Sequence, residues 1–166
     1  MRLAYADPPY PGQSHLYRDH PDYGGEVDHA ELIARLCRDY DGWLLHTSSP
    51  ALRDLMPLVP KRARLMAWVK PFAAFKRNVS VAYAWEPVIV MAARKPVVDG
   101  FCVMRDWIAA SCTLKKGLTG AKPMDVCLWA FAIMGAQPDD ELHDLYPGTG
   151  AVSAAWLAYQ HLRRAA

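Results

Sequence analysis

The chain has 166 residues, 52% of them hydrophobic and 22% charged, and its formal net charge is +2. That balance suits one soluble domain with one sizeable core and excludes a low-complexity or disordered chain. Charge is unevenly spread, at −4 over residues 1–60, +9 over 61–122 and −3 over 123–166, so a basic middle that suits a polyanion, or solvated lysines on loops, lies between acidic ends.

Leu3 to Ala6 reads as a short strand, ended by Pro8 and Pro9 because neither can donate to a ladder. Residues 11–27 have three glycines, two prolines and no apolar period. A loop of this length is expected to be functional, here a lid pivoting on Gly12, Gly24 and Gly25. Asp28 is expected to cap a helix, with Glu31 completing a capping box. Leu32, Ile33, Leu36 and Tyr40 follow at helical spacing. Gly42 to His46 reads as a buried strand, and Ser49 and Pro50 open a helix that Pro57 ends. Arg64 to Val69 and Ala82 to Ala92 read as two more strands, and 93–121 as irregular and basic. Pro123 takes the first position of a helix apolar nearly all round, closed by Gly135. Glu141 to Leu145 is a short strand, and a Gly-rich turn leads into a last helix from Ala151, with Thr149 as its expected N-cap. Strands alternating with helices imply an α/β sheet with parallel strands. Without repeats or linkers, residues 1–166 read as a single domain.

The longest apolar run in the C-terminal third, Val126 to Gly135, is about half of what a bilayer span needs. The start of the chain is too short for a secretory leader before Asp7. Cys37, Cys102, Cys112 and Cys127 form no CxxC pair and read as reduced thiols, so a cytoplasmic protein is expected. His15, His20 and His29 lack a metal-ligand spacing, so no metal is expected.

Two motifs stand at strand ends, where open α/β sheets bind ligands. They are Asp7-Pro8-Pro9-Tyr10 and Asp144-Leu145-Tyr146-Pro147-Gly148-Thr149-Gly150. The first is similar to the catalytic DPPY motif of the amino-methyltransferases that make N6-methyladenine or N4-methylcytosine, and the second resembles their cofactor motif. Thr119-Gly120-Ala121-Lys122-Pro123 resembles the Lys-Pro motif that precedes the cofactor strand, and Ala84-Trp85-Glu86-Pro87-Val88 resembles the strand before the target-reading region. The order is the permuted one of the β-type members and of the related MT-A70 group, and the resemblance spans about the whole chain. It implies a compact, minimal and permuted Rossmann-like methyltransferase sheet with helices on both faces. It implies S-adenosylmethionine (SAM) as cofactor and DNA as partner. The reaction it implies is methylation at N6 of adenine, with N4 of cytosine as the alternative.

The chemistry of the residues agrees with those roles. An exocyclic amine is a poor nucleophile because its lone pair is delocalised into the ring. The Asp7 carboxylate and the Pro8 carbonyl, its direction fixed by Pro8 and Pro9, can draw the amine hydrogens out of plane and stabilise the charge that develops on nitrogen. Tyr10 can stack on the extruded base. Gly148 and Gly150 permit close backbone approach to the methionine part of the cofactor, and Asp144 can accept from its ammonium. Lys122, just before the helix at Pro123, would favour its carboxylate. Pro123, Tyr146, Thr149 and Asp7 complete the implied cofactor set. Nucleic-acid contacts are expected from Tyr17, Arg18 and Tyr23 in the long loop and from Lys76, Arg77, Arg105, Trp107, Lys115 and Lys116 in the basic middle. The other tryptophans read as core.

Two departures from the family pattern are visible. No strand with an acidic end follows Gly150 to hold the cofactor ribose, so that contact is expected elsewhere. Residues 93–121 form a small inserted target-recognition region, which suits a short recognition site or help from a second subunit in a homodimer. RNA adenine methylation is a rival reading, although MT-A70 relatives usually carry Trp where Tyr10 stands. The other rival is a non-catalytic nucleic-acid-binding module on the same fold.

Overall fold

A computed structural model describes residues 1–18, 23–72, 79–96, 103–112 and 121–165. Six strands, β1 (Arg2–Ala6), β2 (Gly42–His46), β3 (Arg64–Val69), β4 (Trp85–Met91), β5 (Trp107–Ala109) and β6 (Glu141–Asp144), form one sheet in the order β5-β3-β4-β2-β1-β6. β1 lies between β2 and β6 and is parallel to both. The helices are α1 (His29–Asp39), α2 (Leu52–Leu55), α3 (Met124–Ile133) and α4 (Ala151–Ala165). No described helix is long and apolar enough to cross a membrane.

The central strands β1, β2 and β4 are buried on both faces, as helices on both sides require, whereas β3 and β5 are partly exposed. Leu3, Tyr5, Leu44, Val88 and Val90 pack with residues of α3 and α4. Alternate residues Ala4, Ala6, Trp43, Leu45, Ile89 and Met91 pack with α1 and with Leu55 of α2. α3 is apolar nearly all round because the sheet covers one side and α4 the other. Phe131 meets Trp156 at 5.1 Å and Tyr159 at 5.5 Å between ring centroids.

Three sequence expectations change. The sheet is mixed, since β4 runs antiparallel to both β2 and β3. A parallel neighbour needs a crossover, usually a helix, and the described residues between β3 and β4 are not helical. The stretch 93–121 is not wholly irregular, because β5 pairs parallel with β3 as a three-residue edge strand. The segment opened by Ser49 and Pro50 is a 3-10 turn (Ser49–Ala51), the single turn α2, and a second 3-10 turn (Met56–Leu58) that holds Pro57. Its cap position belongs to Ser48.

Asp28 caps α1 and Gly135 closes α3 as their sequences imply, but Glu31 turns to Arg38 and does not complete a capping box. Asp28 accepts from the N–H groups of Ala30 and Glu31, both at 3.0 Å, while the Glu31 carboxylate lies 3.8 Å from Arg38. Gly135 closes α3 at φ +73°. Its N–H donates to Ala132 and that of Ala136 to Phe131, both at 3.0 Å, the bond pair of a left-handed helix end. A Cβ on Gly135 would stand 2.4 Å from the Arg94 carbonyl oxygen. Gly135→Ala is therefore expected to lower the unfolding free energy by about 2 kcal/mol or more, measured by urea denaturation.

At the sheet edge where β1 and β6 begin, Asp140 accepts from two Arg94 nitrogens (2.6 and 3.0 Å), the Met1 amino group (2.8 Å) and the Gln137 N–H (2.8 Å). Burial works against its charge, but these donors outweigh burial and hold its carboxyl at about 2.

Candidate active site

β1, β2, β3 and β6 all end at the opposite edge, and the antiparallel β4 begins there. That arrangement gathers Asp7 after β1, His46 at the end of β2, Lys70 after β3, Glu86 at the start of β4 and Asp144 at the end of β6. Lys122, two residues before α3, reaches the same edge from the face covered by that helix.

These side chains form a connected polar chain. The Lys122 ammonium donates to Asp7 Oδ2 at 2.6 Å and stands 3.3 Å from Glu86 Oε1. Lys70 Nζ lies 2.8 Å from Glu86 Oε2. His46 Nδ1 is 2.7 Å from Glu86 Oε1, and His46 Nε2 is 2.7 Å from the Tyr5 hydroxyl. A carboxylate only accepts, so Nδ1 carries a proton and donates to Glu86, while Nε2 faces the Tyr5 hydroxyl. Two carboxylates and two ammonium groups thus meet around the buried imidazole.

Burial alone would neutralise these groups. For Glu86 it is outweighed by Lys122, His46 and Lys70, which hold the carboxyl well below its usual range. For Lys122, Asp7 and Glu86 outweigh burial and raise the ammonium above the ordinary lysine value. Burial and the anions Asp7 and Glu86 push Tyr5 and Tyr10 well up, so both stay protonated. Asp7, His46 and Glu86 offer ligand atoms within 4.8 Å of one another, and it is the Lys122 ammonium that supplies the positive charge between the two carboxylates.

The predicted catalytic residues therefore meet in one place. Asp7, Pro9 and Tyr10 are half-buried and Pro8 is buried. Lys122 joins them, with its donors turned to Asp7 and Glu86. Pro123 is the residue before α3 rather than its first residue, at φ −59° and ψ 145°.

The second motif is a tight turn. The Gly150 N–H donates to the Pro147 carbonyl at 2.7 Å, and Gly148 and Gly150 have φ +45° and +74°. A Cβ on Gly150 would meet nothing within 4 Å, so open space lies beside that backbone. Thr149 is exposed and does not cap α4. The helix begins at Ala151, so Gly150 precedes it, and its carbonyl accepts from Ala154 at 3.0 Å. Tyr146 is half-buried against the core on the α1 side. Asp144 accepts from the Tyr146 N–H through Oδ1 at 3.3 Å, whereas its Oδ2 is buried without a partner. Burial, together with the charge of Asp7, raises the Asp144 carboxyl against the opposing Tyr146 bond.

The start of the long loop is ordered. Ser14–Tyr17 is a 3-10 turn with Ser14 buried, and the Gly12 N–H donates to Glu26 at 2.7 Å. Tyr17 lies close enough to the centre that burial, then the charge of Asp7, raises its hydroxyl. Arg18 and Tyr23 are exposed. Arg105 lies over the ring of Trp107 at 5.2 Å, and Trp107 is exposed on β5. Trp85 is also exposed, at the start of β4, so it is not the core residue its apolar strand suggested. Lys76, Arg77, Lys115, Lys116, Thr119 and Gly120 lie outside the described residues.

Sequence reasoning missed His46, Glu86, Lys70 and Tyr5. The available signal was polarity inside apolar runs, a carboxylate in Trp85–Met91 and a histidine closing Gly42–His46, because a buried charge needs a partner.

No protein-family model and no curated protein matches the sequence. Among solved structures, M1.HpyAVI in complex with SAM is similar over 96% of this chain and 78% of its own, with a TM-score of 0.66 at 16% identity. A second structure, of M1.HpyAVI, gives a TM-score of 0.59 at 16% identity over 95% of this chain and 76% of its own. At this identity the likeness is one of fold.

Proposed function

We propose that this protein is a SAM-dependent methyltransferase acting on the exocyclic amino group of a nucleobase in DNA, with N6 of adenine as its target. One observation carries the reading. A single sheet edge holds an ion-paired Asp7 in a DPPY motif and a buried, unpartnered Asp144 oxygen in the strand that leads into an open glycine turn. The fold is shared with a protein whose solved complex contains SAM.

The residues fit that cofactor. The unpartnered Asp144 Oδ2 is an acceptor for its ammonium, and the space beside Gly150 admits its methionine part along the backbone. Bound there, SAM would supply an electrophilic methyl group with a thioether as leaving group.

This chain's residues prepare the amine. Asp7 and the Pro8 carbonyl accept its hydrogens, which localises the nitrogen lone pair and stabilises the positive charge that develops during transfer. Tyr10 and Tyr17 offer aromatic surface beside Asp7 for an extruded base. Arg18, Tyr23, Arg105 and Trp107 are exposed, and with the basic middle of the chain they would meet the nucleic-acid strand. Asp at the first motif position favours adenine over cytosine, since the resembled cytosine enzymes more often carry Ser there.

Purified protein incubated with methyl-tritiated SAM and mixed-sequence duplex DNA is expected to label the DNA, and RNA of the same sequence far less. Label in neither would overturn the proposal.

A further inference from the structure

We propose that Glu86 is a positioning residue of this site: it holds the Lys122 ammonium against one oxygen of Asp7 and is itself oriented by His46 and Tyr5. The inference rests on the methyl-transfer reading above and deepens it.

The polar chain is closed in its middle and open at its ends. The side chain of His46 is 0% exposed, and those of Glu86 and Lys122 are 6% each, whereas Asp7 is 19% and Lys70 20% exposed. Order is thus built inside the protein and presented at Asp7. Lys122 sits on a flexible four-carbon stem, and a buried ammonium with one carboxylate partner would pivot about that contact. Glu86 supplies the second anchor and the second negative charge, without which burial would favour the neutral amine. Both Glu86 oxygens are fixed, Oε1 by His46 and Lys122 and Oε2 by Lys70. The Tyr5 hydroxyl, 2.7 Å from Nε2, anchors the far side of the ring and so keeps Nδ1 turned to Glu86. Asp7 therefore meets substrate with one oxygen already held. A displacement of about 1 Å at such a group costs about 100-fold in rate.

Glu86→Gln keeps the volume and removes the charge. It is expected to slow single-turnover methyl transfer by about 100-fold and to leave the Kd values for S-adenosylhomocysteine and for duplex DNA within about threefold. His46→Leu is expected to be slow as well. His46→Asn, whose amide can donate where Nδ1 does, should recover to within about threefold of the parent rate. A purely structural role would lower the melting temperature of these variants and leave the rate per folded molecule unchanged, and that result would overturn the proposal. If Glu86→Gln fails to fold, the two His46 variants and Tyr5→Phe carry the same comparison. A second readout needs no activity. In nitrogen-15 lysine spectra the Lys122 ammonium should be protected from exchange and lose that protection in Glu86→Gln, or in His46→Leu where Glu86→Gln does not fold. An unchanged Lys122 signal would overturn the network. Absence of methyl transfer by the parent protein, with the Lys122 signal behaving as described, would instead reject the reaction.

Discussion

Asp7→Asn is expected to lower methyl transfer by about 10²–10³-fold or more while binding of S-adenosylhomocysteine persists. Asn preserves the volume but places an uncharged amide where the amine needs an anionic acceptor. Cofactor binding should persist because Asp7 is engaged by Lys122, whereas the unpartnered acceptor belongs to Asp144. Asp7→Ala is a less clean variant. It deletes one partner of a largely buried ion pair and leaves Lys122 with Glu86 alone, which is expected to cost about 3 kcal/mol of stability. Calorimetry on folded Asp7→Asn separates the two roles: if binding is lost, Asp7 belongs to the cofactor pocket and its catalytic assignment is wrong.

Asp144→Asn should do the reverse. Its side-chain oxygen can still accept from the Tyr146 N–H, so the turn is kept, but the atom at the Oδ2 position becomes a donor. Affinity for SAM is expected to fall by about 100-fold, near 2.7 kcal/mol. The melting temperature of the free protein should stay level or rise, because a buried carboxylate oxygen without a partner disfavours the unliganded fold. The pH dependence follows from the same environment. Burial and the charge of Asp7 raise the Asp144 carboxyl, and the ammonium of the cofactor requires its ionised form. Binding should therefore weaken as pH falls through a value raised above that of an ordinary aspartate, and Asp144→Asn should remove that dependence. Unchanged affinity in Asp144→Asn would place the cofactor ammonium elsewhere.

The parts of this molecule legible in its sequence are those governed by local rules. Leu3–Ala6 before two prolines, the Asp28 cap and the all-apolar helix ended by Gly135 each depend on neighbours within a turn or so. The direction of β4 was not legible, because a strand's residues do not encode whether the chain returns parallel or antiparallel. β5 was not either, since three half-exposed residues are too few for any period. Thr149 misled because cap preference names a residue type, whereas the positive φ of Gly150 decides where α4 can start. In the candidate site, Asp7, Lys122 and Asp144 were visible as motif positions. Their relations were not: Asp7 and Lys122 are 115 positions apart, and nothing local says that Lys122 turns to Asp7 and Glu86. His46 and Glu86 belong to no motif that names a role for them, and only the sheet register brings them together.

Nucleoside mass spectrometry of DNA from cells that lack their own DNA methyltransferases and express this protein tests the central claim most directly. N6-methyladenine should accumulate with the parent sequence and be absent with Asp7→Asn. No methylated base with the parent sequence, or equal amounts with both proteins, would contradict the assignment of Asp7 as the group that activates a nucleobase amine.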